Sequence, residues 1–166
     1  MLKVHLDFET ASPQDLGAGV YKYAENTDTR VWGFCYRFGH EDVQAWYPHS
    51  PVPNRLLDHI SLGGLIVAHN AQFERIIWNE VLLRRFPAWP ALTIGQMRCT
   101  MARALAYGLP EKLDDVARVL GCANLKDKLG HDLMKKMCKP KSRDVFGNYS
   151  WHDDLADIED FLSVLI

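Results

Sequence analysis

The chain has 166 residues, of which 48 % are hydrophobic and 24 % are charged, and its formal net charge is −2. This length favours one domain with a core of its own, and the charge excludes a uniformly basic nucleic-acid-binding protein. No apolar run approaches the roughly 20 residues of a membrane span, and the first residues do not resemble a signal peptide. We therefore expect a cytoplasmic protein with no membrane partner. The four cysteines form no C-x-x-C pair and are expected to stay reduced.

The first part of the sequence predicts strands. Residues 3–8, KVHLDF, and residues 30–38, RVWGFCYRF, are rich in β-branched and aromatic residues. Residues 43–48, VQAWYP, alternate in polarity after a GHED turn, so we expect a hairpin with the strand at 30–38. The segment 11–29 is rich in turn residues and is predicted to be irregular.

A strand and several helices are predicted in the rest of the chain. Residues 64–70, GLIVAHN, are a short apolar run typical of a strand buried on both faces. Residues 71–86 carry apolar side chains close to a helical period, which PAWPALT ends. Further helices are predicted over residues 54–61, 99–108, 112–121, 126–137 and 151–166. This order predicts one layered α/β domain, residues 1–166, with a mixed sheet.

Two carboxylates interrupt the first predicted strand. In a strand, residues i and i+2 face the same side about 6.5–7 Å apart, so Asp7 and Glu9 share a face opposite Leu6 and Phe8. Two carboxylates about 4 Å apart repel by roughly 4 kcal/mol at an effective dielectric constant near 20, and a divalent cation would offset that repulsion. Oxygen ligands favour Mg²⁺ or Mn²⁺ over zinc. The alternative is two surface acids on an exposed edge strand.

A third carboxylate follows the buried strand. Glu74 lies in the first turn of the next predicted helix, at the C-terminal end of the strand, where sites in α/β proteins collect. His69 and Asn70 end that strand, and Phe73 precedes the acid. Structural alternatives are open for three of these residues: Asn70 as a helix cap, Phe73 as core and Glu74 as an acid favoured by the helix dipole.

The segments LDFET and AHNAQFE resemble the first two motifs of the DEDD (DnaQ-like) 3′–5′ exonucleases, and most of all the exonuclease domains of phage-type family A DNA polymerases. The segment QMRCTMARALAYGLPEKLDDVARVLG is similar to the helical middle of that group, so the resemblance covers most of the chain. It implies a ribonuclease-H-like three-layer domain with a mixed β-sheet flanked by helices.

The resemblance also implies an activity and its residues. Asp7, Glu9 and Glu74 would hold two ions of Mg²⁺ or Mn²⁺, about 3.5–4 Å apart, and hydrolyse terminal phosphodiester bonds at the 3′ end of single-stranded DNA. A DNA polymerase would be the partner. Most family members have aspartate where this chain has Glu74, which keeps the charge and adds one methylene. Four residues are expected to contact the substrate: Thr10, His69, Asn70 and Phe73.

A fourth acid of the family is not evident in the sequence. In the phage-type group it lies in a late helix, after a tyrosine. By register Val164 takes the place of that tyrosine, and the aspartate would lie beyond Ile166, so we expect the chain to stop before its last catalytic residue. Asp157 and Asp160 are candidate substitutes, with a solvated helix face as the alternative, and His152 is a candidate base.

Two other functions stay open at this stage. One is a catalytically silent domain that binds nucleic acid or a DNA polymerase, and the other is a 3′–5′ exoribonuclease of the same fold. The basic stretch 125–143 would follow phosphates, or would be a solvated face. Four aromatic residues would stack on bases, or would pack in the core: Trp32, Tyr36, Trp46 and Trp78.

Overall fold

The computed structural model describes residues 2–122 and 128–153, with the side chains of 128–131 excepted. The predicted helix over 151–166 therefore lies outside the described residues from 154 onward, and residues 151–153 form no helix. No helix in the described ranges is long and apolar enough to cross a membrane.

A mixed sheet forms the centre of the described part of the chain. It has five strands in the order β3-β2-β1-β4-β5. Strand β1 pairs antiparallel with β2 and parallel with β4, β2 is antiparallel to β3, and β4 is parallel to β5. The strands are β1 (Lys3–Ala11), β2 (Arg30–Phe38), β3 (Gln44–Trp46), β4 (Leu65–Ala68) and β5 (Met97–Cys99).

Helices flank this sheet. The first three are α1 (Val20–Glu25), α2 (Asn54–Ser61) and α3 (Ala71–Ile76), and α3 continues through a π-helical segment (Ile77–Leu82) into α4 (Leu83–Arg85). The later helices are α5 (Thr100–Ala106), α6 (Leu113–Val119) and α7 (Lys128–Met137). Short 3-10 turns occur at Leu16–Ala18 and Ile94–Gln96, and a small hairpin consists of β6 (Ser142–Arg143) and β7 (Tyr149–Ser150).

The mixed sheet and the flanking helices confirm the predicted fold class. The arrangement is an α/β, three-layer-like fold consistent with a ribonuclease-H-like domain. The predicted hairpin of residues 30–38 with 43–48 is present, and the buried strand and the helix that follows it are in place. The prediction that residues 11–29 are irregular was wrong at α1, and the sequence analysis missed β5 and the β6–β7 hairpin. Each of these elements is only two to six residues long, too short for a period to be visible.

An aromatic core lies on one face of the sheet. Phe34 stacks on Trp46 with 4.9 Å between ring centroids, and Trp46 packs edge-on against Trp89 at 5.1 Å. Trp78 is fully buried, and its indole N–H donates to the Pro90 carbonyl at 2.9 Å.

The core accounts for most of the aromatic residues singled out in the sequence. Burial confirms core packing for Tyr36, Trp46 and Trp78, so the base-stacking alternative was wrong for these three. Trp32 is half-buried, and its indole N–H donates to the Met137 carbonyl at 3.0 Å.

All four cysteines are free thiols, as predicted.

Candidate active site

Strand β1 presents its two acids on the face away from the core. Its side chains alternate, with Leu6 and Phe8 buried while Asp7 is exposed and Glu9 is half-buried. On β2, Cys35 lies directly opposite Asp7. Burial, and to a smaller extent the charges of Asp7 and Glu9, raise the pKa of the Cys35 thiol to about 11. The alternation of the strand places both acids on the face opposite Leu6 and Phe8.

Glu74 reaches the same region from α3. It is only 3 % exposed, although glutamate is rarely buried without a partner. Within residues 2–122 and 128–153, its Oε2 atom is buried and has no hydrogen-bond partner. Burial raises the pKa of Glu74 to about 9, and the negative charge of Asp7 contributes to that rise. Glu74 is therefore a buried carboxyl group, influenced by the charge of Asp7, with one oxygen that no described residue satisfies.

Asn70 forms the sharp turn between β4 and α3. Its backbone is left-handed, with φ 68°, which is otherwise found only at glycines in the described residues. Its side chain is exposed and makes no capping hydrogen bond, so the capping alternative was wrong. Non-glycine residues held in this conformation cluster at functional sites. The backbone geometry directs this amide side chain into solvent at the start of α3.

Thr10 and Phe73 are joined by a tyrosine that the sequence analysis missed. The Thr10 hydroxyl lies 2.9 Å from the Tyr23 hydroxyl, and the rings of Tyr23 and Phe73 are 6.1 Å apart. Tyr23 is buried, and burial raises its pKa to about 12, so its phenol keeps its proton. Phe73 is half-buried and packs against the core, which confirms its core alternative in part. Tyr23 was missed because it lies on α1, in the segment predicted to be irregular.

His69 joins three segments around the site. Its Nε2 atom donates to the Glu111 carbonyl at 2.8 Å, and its Nδ1 atom lies 3.0 Å from the Thr100 hydroxyl, which also contacts the Ala68 carbonyl at 3.3 Å. The same side chain and Asp7 line a depression of about 390 Å³. Because both ring nitrogens are engaged, His69 positions the edge of this depression, and its predicted contact with substrate stays a prediction.

Cys99 lies beside Glu74 and was not singled out in the sequence. Its sulfur accepts from the backbone N–H of Ala102 at 3.4 Å, at the start of α5. Burial alone would raise the pKa of this thiol, but hydrogen bonds from backbone N–H groups, including those of Ala71 and Asn70, outweigh it and lower the pKa. The N-terminal ends of α3 and α5 thus converge on this sulfur.

Asp7, Glu9 and Glu74 carry the type of ligand atom that a hard divalent cation takes. Their ligand atoms would all be oxygen, and the buried Oε2 atom of Glu74 is the kind of orphaned polar atom that a cation satisfies. In the part of the chain that the structure describes, no three His, Cys, Asp or Glu side chains already form a metal-binding group. The acids approach one another without a ready-made cluster, so binding would require Glu74 to lose its proton and the side chains to adjust.

The resemblance implies a fourth acid, for which the sequence offered two candidates. The candidate substitutes Asp157 and Asp160 fall outside the described residues. His152 is described and is half-buried in the bend that follows β7.

A comparison with known proteins supports a link to DNA polymerases. Over 148 residues the chain is 35 % identical to a protein named DNA polymerase from Bacillus phage SP02, an alignment that includes 84 % of this chain. The chain is related to a segment of a phage DNA polymerase. It spans 22 % of the length of that relative. No protein-family model matches the chain.

Proposed function

We propose that this chain is a metal-dependent 3′–5′ exonuclease domain of the DNA-proofreading type. The observation that supports this most is Glu74, a buried carboxyl group with an unpartnered oxygen close to Asp7. A structural core acid would have a hydrogen-bond donor or a cationic partner, because an unsatisfied buried polar group costs about 1–3 kcal/mol. A bound cation would offset that cost by coordinating the buried oxygen. The relationship to a phage DNA polymerase supports DNA as the substrate and a polymerase as the partner.

Asp7, Glu9 and Glu74 would hold the cations, from one face of β1 and from the first turn of α3. Bound there, Mg²⁺ or Mn²⁺ ions would activate water and offset the negative charge that develops on the phosphoryl group. Glu74 would give up its proton on binding, since only the carboxylate form is a ligand. Asp7 is exposed and Glu9 is half-buried, so the open side of the site faces solvent, from which a phosphodiester can approach.

Other residues would position the terminal nucleotide. The Asn70 side chain projects into solvent and can donate to or accept from a sugar or a base. The Thr10 hydroxyl is hydrogen-bonded to Tyr23, whose ring also packs on Phe73, so these three residues form one connected cluster. Orientation of this kind lowers the entropic part of the barrier.

A catalytically silent domain is the second candidate. It is favoured by the absence, within the described residues, of any preformed group of three metal-binding side chains. Such a domain would bind nucleic acid or a polymerase without cleaving.

The experiment uses single-stranded DNA labelled at its 5′ end, with Mg²⁺ or Mn²⁺, and RNA of the same sequence in parallel. The proposal expects a ladder of products that shorten from the 3′ end of the DNA. The rate of this digestion should be at least about a hundredfold lower in Asp7→Ala. Asp58→Ala, which removes an exposed acid of α2, is the matched control and should retain the activity. Equal activity in Asp7→Ala, or digestion from the 5′ end, would refute the proposal. Faster digestion of the RNA would favour an exoribonuclease.

A further inference from the structure

The small hairpin holds two apolar side chains in solvent. It consists of β6 and β7, and the connection between them carries Val145 and Phe146 at its tip. Val145 is 93 % exposed and Phe146 is 88 % exposed. Isolated exposed apolar residues are common, but two adjacent ones at the tip of a hydrogen-bonded turn indicate a contact surface.

Hydrogen bonds from one aspartate fix this turn. The Asp144 carboxylate accepts from the backbone N–H of Phe146 at 2.9 Å and from that of Asn148 at 2.8 Å. Its second oxygen accepts from the Asn148 side chain at 2.9 Å. Gly147 supplies the positive φ, 92°, that the turn requires. Because its own N–H is bonded, Phe146 is presented by an ordered backbone, which lowers the entropic cost of a contact.

The hairpin emerges beside the end of β1. The chain that leads into it is bound to the segment after β1 by a hydrogen bond from the Ser12 N–H to the Cys138 carbonyl, 3.1 Å long. The chain that leaves it packs Trp151 edge-on against Trp32, with 6.5 Å between centroids, and the Arg30 guanidinium lies 3.9 Å from the centre of the Trp151 ring. The hairpin is therefore anchored to the segment that follows β1 and to the first residues of β2.

The charge around the tip is positive. Lys141 and Arg143 are exposed and precede the tip in the sequence, and Arg143 is held by a hydrogen bond from its Nε atom to the Gly147 carbonyl at 3.2 Å. Lys139 lies farther from the tip, and its Nζ atom donates to the Gln14 carbonyl at 3.2 Å. Asp144 is committed to the turn itself. Aromatic rings flanked by cations are the pattern of single-stranded nucleic-acid sites, where rings stack on bases and cations follow phosphates. Two side chains are also far too few for a stable protein interface, which buries roughly 800 Å² on each partner.

We propose that Phe146 stacks on a base of the single-stranded DNA that reaches the acids of β1, with Val145 against the neighbouring base. Lys141 and Arg143 follow the phosphates of the same strand. This inference rests on the proposed function for the identity of the strand, and it adds a binding surface outside the site described above.

The test measures binding of the full chain to a fluorescent single-stranded oligonucleotide in EDTA, where no cleavage occurs. Phe146→Ala is expected to weaken binding roughly 5- to 150-fold, the range for loss of one stacked base. Phe146→Tyr should bind as the parent does, whereas Phe146→Leu, which keeps an apolar side chain without a ring, should bind as weakly as the alanine variant. Ile94→Ala removes a side chain of similar exposure, 79 %, in the 3-10 turn that precedes β5 and should have no effect.

A photochemical cross-link tests directly whether Phe146 contacts the DNA. With 5-iodouracil in the oligonucleotide, irradiation should yield a peptide that carries Phe146 joined to DNA. Undiminished binding in Phe146→Leu, or no cross-link at this residue, would overturn the stacking and leave a protein or another surface as the occupant of the tip. Cleavage that depends on Asp7 but not on Phe146 would overturn this inference alone. Binding that depends on Phe146 in a chain that never cleaves would overturn the proposed function alone.

Discussion

At the scale of single residues, Glu74 is distinguished by its burial. The sequence predicted it as a metal ligand, because an acid in the first turn after a buried strand stands where sites collect. Its near-complete burial could not be predicted, since burial depends on how α3 packs against the sheet. Without a cation, that burial favours the protonated form of the carboxyl group. With a cation bound, it would hold the carboxylate in place as a ligand.

The pH dependence of stability is the first prediction. The folded pKa of Glu74, about 9, lies above its ordinary value of 4.5, so folding favours the protonated form. The stabilisation is therefore complete below about pH 4.5 and is lost as the pH rises toward 9. Denaturant unfolding in EDTA should show a free energy of unfolding that falls across this range. Glu74→Gln, which cannot titrate, should flatten this fall, and an equal slope in both proteins would contradict the account.

Substitutions of Asn70 separate the effect of its backbone conformation from the effect of its side chain. Its positive φ suits glycine, so Asn70→Gly should keep the stability of the parent protein, whereas Asn70→Ala should lose about 1–2 kcal/mol. Both variants lack the amide, so both should cleave DNA more slowly if the side chain contacts substrate. Unfolding curves measure the effect on stability, and single-turnover rates measure the effect on cleavage. An active Asn70→Gly would restrict Asn70 to shaping the turn.

At the scale of elements, the sequence predicted the parts with a clear period and missed the short ones. The helix over 71–86 and the strand over 30–38 were evident because their apolar spacing extends over many residues. The three residues of β5 run directly into α5, and the strands of the β6–β7 hairpin have two residues each. Tertiary pairing rather than local pattern forms these elements, so the sequence alone gave no signal for them.

The pairing of β2 with β3 depends on a glycine. A Cβ atom at Gly33 would lie 2.7 Å from the Trp46 carbonyl and 2.6 Å from the Tyr47 ring. Because Gly33 is opposite Glu9 in the sheet, crowding there would also disturb the acids. Gly33→Ala should therefore destabilise the protein by about 1–3 kcal/mol and reduce cleavage. Gly95→Ala is the control, because a Cβ atom at that position meets nothing within 4 Å and should change stability little.

At the scale of the whole molecule, the sheet order brings the site together. Strands β1 and β4 are parallel neighbours, so their C-terminal ends lie at one edge of the sheet. Asp7 and His69, about sixty residues apart in the sequence, line one depression there. The motif pattern predicted this juxtaposition. The contact of Tyr23 with Thr10 and the anchoring of the hairpin could not be predicted, because each depends on segments that are distant in sequence.

Binding of DNA should be sensitive to salt. The chain is acidic overall, so affinity for phosphates must come from a local surface such as α7 and the residues after it, where Lys135 and Lys136 are exposed. Binding of single-stranded DNA should weaken steeply between low and moderate ionic strength. Replacement of both lysines by glutamine should reduce that slope by about 1–2 in logarithmic units. A flat response would exclude a role for this surface in binding.

Binding of Mn²⁺ to metal-free protein tests the central claim, that the three acids form a cation site. Calorimetric titration at neutral pH, in two buffers with different ionisation enthalpies, measures the affinity and the protons released together. We expect binding with the release of about one proton, because Glu74, with a pKa of about 9, must ionise. Glu74→Gln should bind more weakly and release none. Binding unchanged in both Asp7→Ala and Glu74→Gln, or no binding by the parent protein, would contradict the account.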